Sequence, residues 1–238
     1  MQAPYGLYSM AIVADPCLWT PQLPMLYEVQ VELRQDDRVI SRTNRPLAIR
    51  MFGPRGRDFN LAGKRWVLRG VRRSLLPDAP LAAWRETGAA MLVAAPDDTL
   101  ADEAARLGVP LVALVRAESI NDLRAELSRL ARFPSVVIAV IDAAAELPSD
   151  VPLTAPNILL AASCRDEDAP SPLPPWANVL LCESTDAVKL ARAASGRPFP
   201  VIALRPEEGT ADLATARRTC DILQRDLASH VDLAGYAV

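Results

Sequence analysis

The fold turns on Asn60–Ser74, which reads N-L-A-G-K-R-W-V-L-R-G-V-R-R-S. Ala62-Gly63-Lys64 is a polar turn that feeds the apolar run Trp66-Val67-Leu68, and the run closes on Arg69-Gly70-Val71. Read alone, Trp66–Val71 is a strand leaving a tight turn, and Gly70 marks a close approach of backbone or ligand. Upstream of it lie alternating strand patterns without a helix; downstream, apolar runs alternate with helical ones. The stretch is therefore the seam between a β module over residues 1–62 and an α/β module over 63–238.

Working back from the seam, Tyr27, Val29, Val31 and Leu33 alternate with polar residues as in a half-buried strand. Pro16, Pro21 and Pro24 rule out a helix before it and enforce an extended approach. Asp36-Asp37 reads as a turn, Val39–Thr43 as the returning strand of a hairpin, and Pro46–Phe52 as a third strand. Residues 1–14 carry little signal.

Working forward, eight strand-like runs recur: Trp66–Val71, Ala89–Ala95, Pro110–Val115, Ser135–Asp142, Asn157–Ser163, Asn178–Cys182, Phe199–Leu204 and Val231–Val238. Between them Ala82–Thr87, Thr99–Leu107, Ile120–Arg132, Asp186–Ala194 and Ala211–Ser229 read as amphipathic helices. Near-continuous apolar strands alternating with helices argue for a parallel sheet buried on both faces, and eight of them suggest a small (β/α)₈ TIM-like barrel. At about 170 residues it would fall below the roughly 200-residue floor of such barrels. Segments 143–156 and 164–177, rich in Pro, Asp and Ala, supply the economy and offer at most a turn of helix. A doubly wound open sheet is the structural alternative, but no Gly-rich phosphate loop follows the first strand.

Composition narrows the function classes. Half of the 238 residues are hydrophobic and 23% charged, an ordinary globular balance. A net charge of -3 gives no electrostatic footprint for nucleic acid or an acidic membrane, and no run is long enough to span one. Cys17, Cys164, Cys182 and Cys220 are scattered and His230 is the single histidine, so free cysteines are expected rather than a zinc site, a disulfide framework or a His-dependent triad. No secretory signal is read at the N-terminus, which makes the cytoplasm the expected compartment. Of 26 basic residues only Lys64 and Lys189 are lysines, so any single arginine carries less meaning than usual.

The segment Asp15–Leu33, D-P-x-L-W-x-P-x-x-P-x-L-Y-x-V-x-V-x-L, resembles the end of the immunoglobulin-like sandwich of glycoside hydrolase family 2, which includes β-galactosidases, β-glucuronidases and β-mannosidases. Ala48-Ile49-Arg50 is similar to that family's Gly-(Ile/Phe)-Arg step. Leu61-Ala62-Gly63-Lys64 is similar to its Leu-Asn-Gly-Lys turn, and Leu68–Ser74 to its Leu-Arg-Gly-Val-Asn-x-His strand. The resemblance implies a partial immunoglobulin-like β-sandwich module followed by a reduced catalytic-type barrel. A full sandwich needs on the order of 100 residues. Either the module is a partial sheet leaning on the barrel with an open edge, or missing strands lie upstream.

The resemblance also says where chemistry belongs, at the C-terminal ends of the barrel strands. Its acid/base Glu follows Asn at the end of strand four, where Phe133–Ile141 matches the strand but Ala143-Ala144 takes the place of Asn-Glu. Its nucleophile ends strand seven, where Arg197–Arg205 carries no carboxylate. The substrate-contacting Asn and His after strand one become Arg72 and Ser74, and the arginine of strand two falls near Val93. Asp142, Glu146, Glu207 and Glu208 stand nearby, but a two-residue slip moves a side chain by roughly 6–7 Å, too far for a pair that must sit about 5 Å apart. The expectation is a non-catalytic relative with a binding or structural role. Its rivals are an active glycosidase using relocated acids such as Asp142 and Glu207, and a small-anion-binding barrel.

The last rival rests on the rim. Arg72 or Arg73, Arg116, Arg165 and Arg205 end the odd strands, while Asp97, Asp142 and Glu183 end the even ones. In a closed barrel they would form a ring of alternating charge, either an anion-binding mouth or a salt-bridge plug over a dead site. With aromatics at 5%, no strand end offers a platform for a sugar ring. The partners considered are a carbohydrate or small anion at the mouth, and a protein or second copy on the incomplete β module. No cofactor, metal, nucleic acid or membrane is expected.

Overall fold

Prolines bring the chain in extended, and the alternating run that follows pairs with its neighbour. In a computed structural model, which describes residues 12–165, 169–170, 172–206, 209 and 212–238, β1 (Tyr27–Gln35) and β2 (Arg38–Leu47) form an antiparallel hairpin. Its turn, Asp36-Asp37, takes positive φ at both residues, a conformation that a short polar side chain tolerates better than most. A meander follows: β3 (Phe52–Arg55), β4 (Asp58–Leu61) and β5 (Lys64–Trp66). Pro46–Phe52 is not a strand of its own. β2 runs on to Leu47, Ile49 bridges to Leu18, and β3 begins only at Phe52.

Eight parallel strands close the barrel: β6 (Leu68–Arg72), β7 (Ala90–Ala94), β8 (Leu111–Leu114), β9 (Val136–Asp142), β10 (Leu159–Arg165), β11 (Val179–Glu183), β12 (Val201–Leu204) and β13 (Gly235–Ala237). The seam run is thus two strands that part at Val67. β5 pairs antiparallel with β4, whereas β6 pairs parallel with β7 and β13. Between strands lie α1 (Leu81–Thr87), α2 (Asp98–Leu107), α3 (Ile120–Leu130), α4 (Ala187–Ala194) and α5 (Leu213–Leu227). Asp97, Ser119, Asp186 and Asp212 cap α2 to α5 by accepting backbone N–H bonds, which satisfies donors the first turn leaves open. β9 to β10 is bridged by one 3₁₀ turn, Val151–Thr154, among prolines 148, 152 and 156 that interrupt any longer helix.

The two parts are bolted together at the bottom of the barrel. Phe59 is fully buried in one apolar cluster with Leu68, Ile138 and Ala234, and Phe52 and Trp66 flank it at ring distances of 5.5 and 6.3 Å. Trp19 is fully buried and donates its indole N–H to the Ala105 carbonyl at 2.9 Å. Pro21 lies over Gly108 so closely that a Cβ there would stand 2.4 Å from its carbonyl oxygen. Arg50 donates to the carbonyls of Pro134, Val136 and Asn157, at the N-terminal ends of β9 and β10. Inside the barrel, Leu68, Leu92, Val112, Val140, Leu181 and Ile202 share one core, while Val71, Met91, Ala113, Ile141 and Ala203 face the helices. Gly70 is the narrow point, since a Cβ would meet Leu92 Cδ1 at 2.5 Å. No helix among the described residues is long and apolar enough to cross a membrane.

Candidate functional site at the barrel mouth

Side chains alternate along each strand, so whatever follows the inward apolar positions by two faces the mouth. Arg72 follows Gly70, Ala94 follows Leu92, Asp142 follows Val140, Arg165 follows Ser163 and Glu183 follows Leu181. All of them line a cavity of about 1260 Å³ at the C-terminal ends of the strands. Arg73, in the 3₁₀ turn after β6, and Arg116, beyond β8, complete its charged wall. The floor is apolar, from Leu92, Leu114, Val140, Leu181 and Leu204.

Among the described residues, four arginines therefore face two carboxylates. Arg72 crosses the barrel to Glu183, at 2.9 Å, and its Nε is buried with no hydrogen-bond partner among the described residues. Asp142 accepts the Ala144 backbone N–H at 2.9 Å and is otherwise exposed. Arg73, Arg116 and Arg165 make no ion pair among the described residues, and the last two are exposed.

The two remaining members of the expected ring lie elsewhere. Arg205 follows the outward-facing Ala203 by two and reaches Asp226 on α5, at 3.0 Å, while Asp97 is spent on the N-terminus of α2. Both residues end apolar strand runs in the sequence, but the parity of the strand end and the cap decide where they point. Glu207 and Glu208 lie outside the described residues. Glu146 is exposed in the loop after β9, and His230 is exposed at the end of α5.

Where the resemblance places its acid/base, Ala143 and Ala144 line the cavity with methyl groups; in the stretch where it places its nucleophile, Arg197–Arg205, the residue that lines the cavity is the buried Leu204. The two cavity carboxylates among the described residues belong to strands two apart, β9 and β11, whose backbones stand about 10 Å from each other. Ser163 is a lining residue that sequence reading missed. The signal was there, two positions before Arg165 on the same inward face.

The architecture can be compared with known structures. A crystal structure of Ruminococcus gnavus β-glucuronidase superposes with a TM-score of 0.70 at 13% identity, covering 94% of this chain and 52% of that one. The fold is β-glucuronidase-like. The same R. gnavus enzyme in complex with D-glucuronic acid gives 0.69 at 14% identity, over 94% and 51% of the two chains. The β-D-glucuronidase of Dictyoglomus thermophilum gives 0.67 at 13%, over 94% and 52%. The chain thus spans about half the length of these structures. No family model and no curated protein matches the sequence.

Proposed function

We propose that this chain is a diverged relative of glycoside hydrolase family 2 whose barrel carries out no glycoside hydrolysis and serves as a binding or structural module. The observation that carries the reading is the composition of the mouth. A retaining glycosidase needs two carboxylates about 5 Å apart, and an inverting one needs them roughly 6.5–9.5 Å apart with water between. Among the described residues, one of the two lining carboxylates is held by Arg72, the acid/base position of the resemblance falls on Ala144, and Arg197–Arg205, where its nucleophile belongs, carries no carboxylate.

The test is a panel of chromogenic β-glucuronides, β-galactosides and β-mannosides incubated with the wild-type chain and with Asp142→Asn and Glu207→Gln. The reading predicts release of chromophore no faster than in buffer for all three proteins. Wild-type turnover that either substitution abolishes would establish relocated catalytic acids and overturn it.

A further inference from the structure

From the same mouth, and resting on the reading that it is a binding site without hydrolytic chemistry, we infer a ligand class: a small organic phosphate whose phosphoryl dianion is held by Arg73, Arg116 and Arg165. Strand register carries the argument. In an eight-stranded barrel, alternate strands contribute to one layer of side chains. The pairings match Arg72 with Val112 and Leu159, and a shear of about one residue per strand raises the level by two residues at each alternate strand, which puts Arg72, Leu114 and Ser163 at one height in the mouth. Arg116 and Arg165 stand two residues beyond Leu114 and Ser163, and Arg73 directly follows Arg72. Three guanidinium groups therefore crown three alternate strands, beyond the level of the Arg72–Glu183 bridge.

The chemistry follows from that placement. Three like charges facing one cavity repel one another and, among the described residues, none of them has a carboxylate in an ion pair. A dianion relieves the repulsion. A guanidinium fork matches phosphate oxygens with two parallel N–H bonds, and a phosphoryl group offers three terminal oxygens in three directions, whereas a planar carboxylate offers two. The arginines come from three sides, so the tetrahedral group fits them better. The remaining cavity, over an aliphatic floor with no aromatic side chain among its described lining residues, has room for a non-planar organic body and no described platform for a stacked base. Asp142 in the same wall disfavours additional negative charge on that body.

Calorimetric titration with inorganic phosphate and with glucose 6-phosphate separates the phosphoryl group from the body; glucose and D-glucuronate are the neutral and monocarboxylate controls. The inference predicts that glucose 6-phosphate binds and glucose does not, that D-glucuronate binds at least about tenfold more weakly, and that Arg116→Gln and Arg165→Gln each weaken glucose 6-phosphate about tenfold or more. Unchanged melting temperatures would show that the variants fold. Absence of phosphate binding, or binding indifferent to both substitutions, would overturn the inference. Tight binding of inorganic phosphate alone would assign the site to the free ion and overturn the organic ligand. Glycoside turnover, read separately, would instead sink the non-catalytic reading, so the two failures are distinguishable.

Discussion

Arg50 shows how one residue can join two architectures. Burial lowers its pKa to about 10, so it stays charged at neutral pH, and it meets that cost with three carbonyl acceptors and the face of Phe52 at 5.9 Å. Arg50→Met would leave the acceptors at the base of β9 and β10 short of donors and lower stability by about 2–4 kcal/mol, read as a shift in the urea midpoint. A loss below about 0.5 kcal/mol would show that water replaces the guanidinium there. The residue stands out in the sequence as part of the Ala48-Ile49-Arg50 step, but its acceptors lie 84 to 107 positions away, and spacing along the chain says nothing of them. The same holds for Arg72 and Glu183. Each is legible as a strand end; their pairing across the barrel depends on closure and parity together.

At the scale of elements, the barrel strands and their helices were readable because each signal is local. Strands of three to seven residues sit among caps such as Asp97 and Asp186, and the prolines after β9 leave a single 3₁₀ turn, while the segment after β10 lies partly outside the described residues. The split of the seam run was not readable. Trp66-Val67-Leu68 is uniformly apolar because one end packs under the barrel and the other inside it, so periodicity has no break to report. Elements also differ in how well they are held. All ten residues of β2 are exposed, and Val31, Leu33, Val39, Ile40 and Leu47 are exposed apolar side chains on the hairpin. An isolated two-stranded ribbon is marginal in water. Amides of β1 and β2 should therefore exchange with deuterium on the order of 100-fold faster than those of β9 and β10. Equal protection would mean that something covers the hairpin in solution.

At the scale of the molecule, arginine–carboxylate pairs away from the mouth set the response to acid. A hydrogen bond from Arg129 holds the Asp98 carboxyl below its ordinary range, with Arg132 adding to the effect. Burial pushes Asp221 up, but the bonds from Arg217 and Arg69 outweigh it and bring it below its usual value. Carboxyls depressed in the folded state contribute stability that is complete above their unfolded pKa, near 4, and is lost as pH falls through the folded value. The urea midpoint should therefore be flat from neutral pH down to about pH 5 and drop below about pH 4. Asp221→Asn should lower stability at pH 7 by about 1 kcal/mol after screening, read from the urea midpoint, and flatten the acid limb, because Arg69 and Arg217 lose their shared carboxylate. A profile that stays level to pH 3 would contradict this account.

For the whole molecule, the proposal is that a β-glucuronidase-like barrel has a mouth whose described residues offer no working carboxylate pair. It is tested most directly by the intact mass of the protein after incubation with activated 2-deoxy-2-fluoro-β-glycosides, which leave a glycosyl group on a carboxylate that acts as nucleophile. The account predicts the unmodified mass. A glycosyl adduct mapped to Asp142, Glu183 or Glu207 would contradict it.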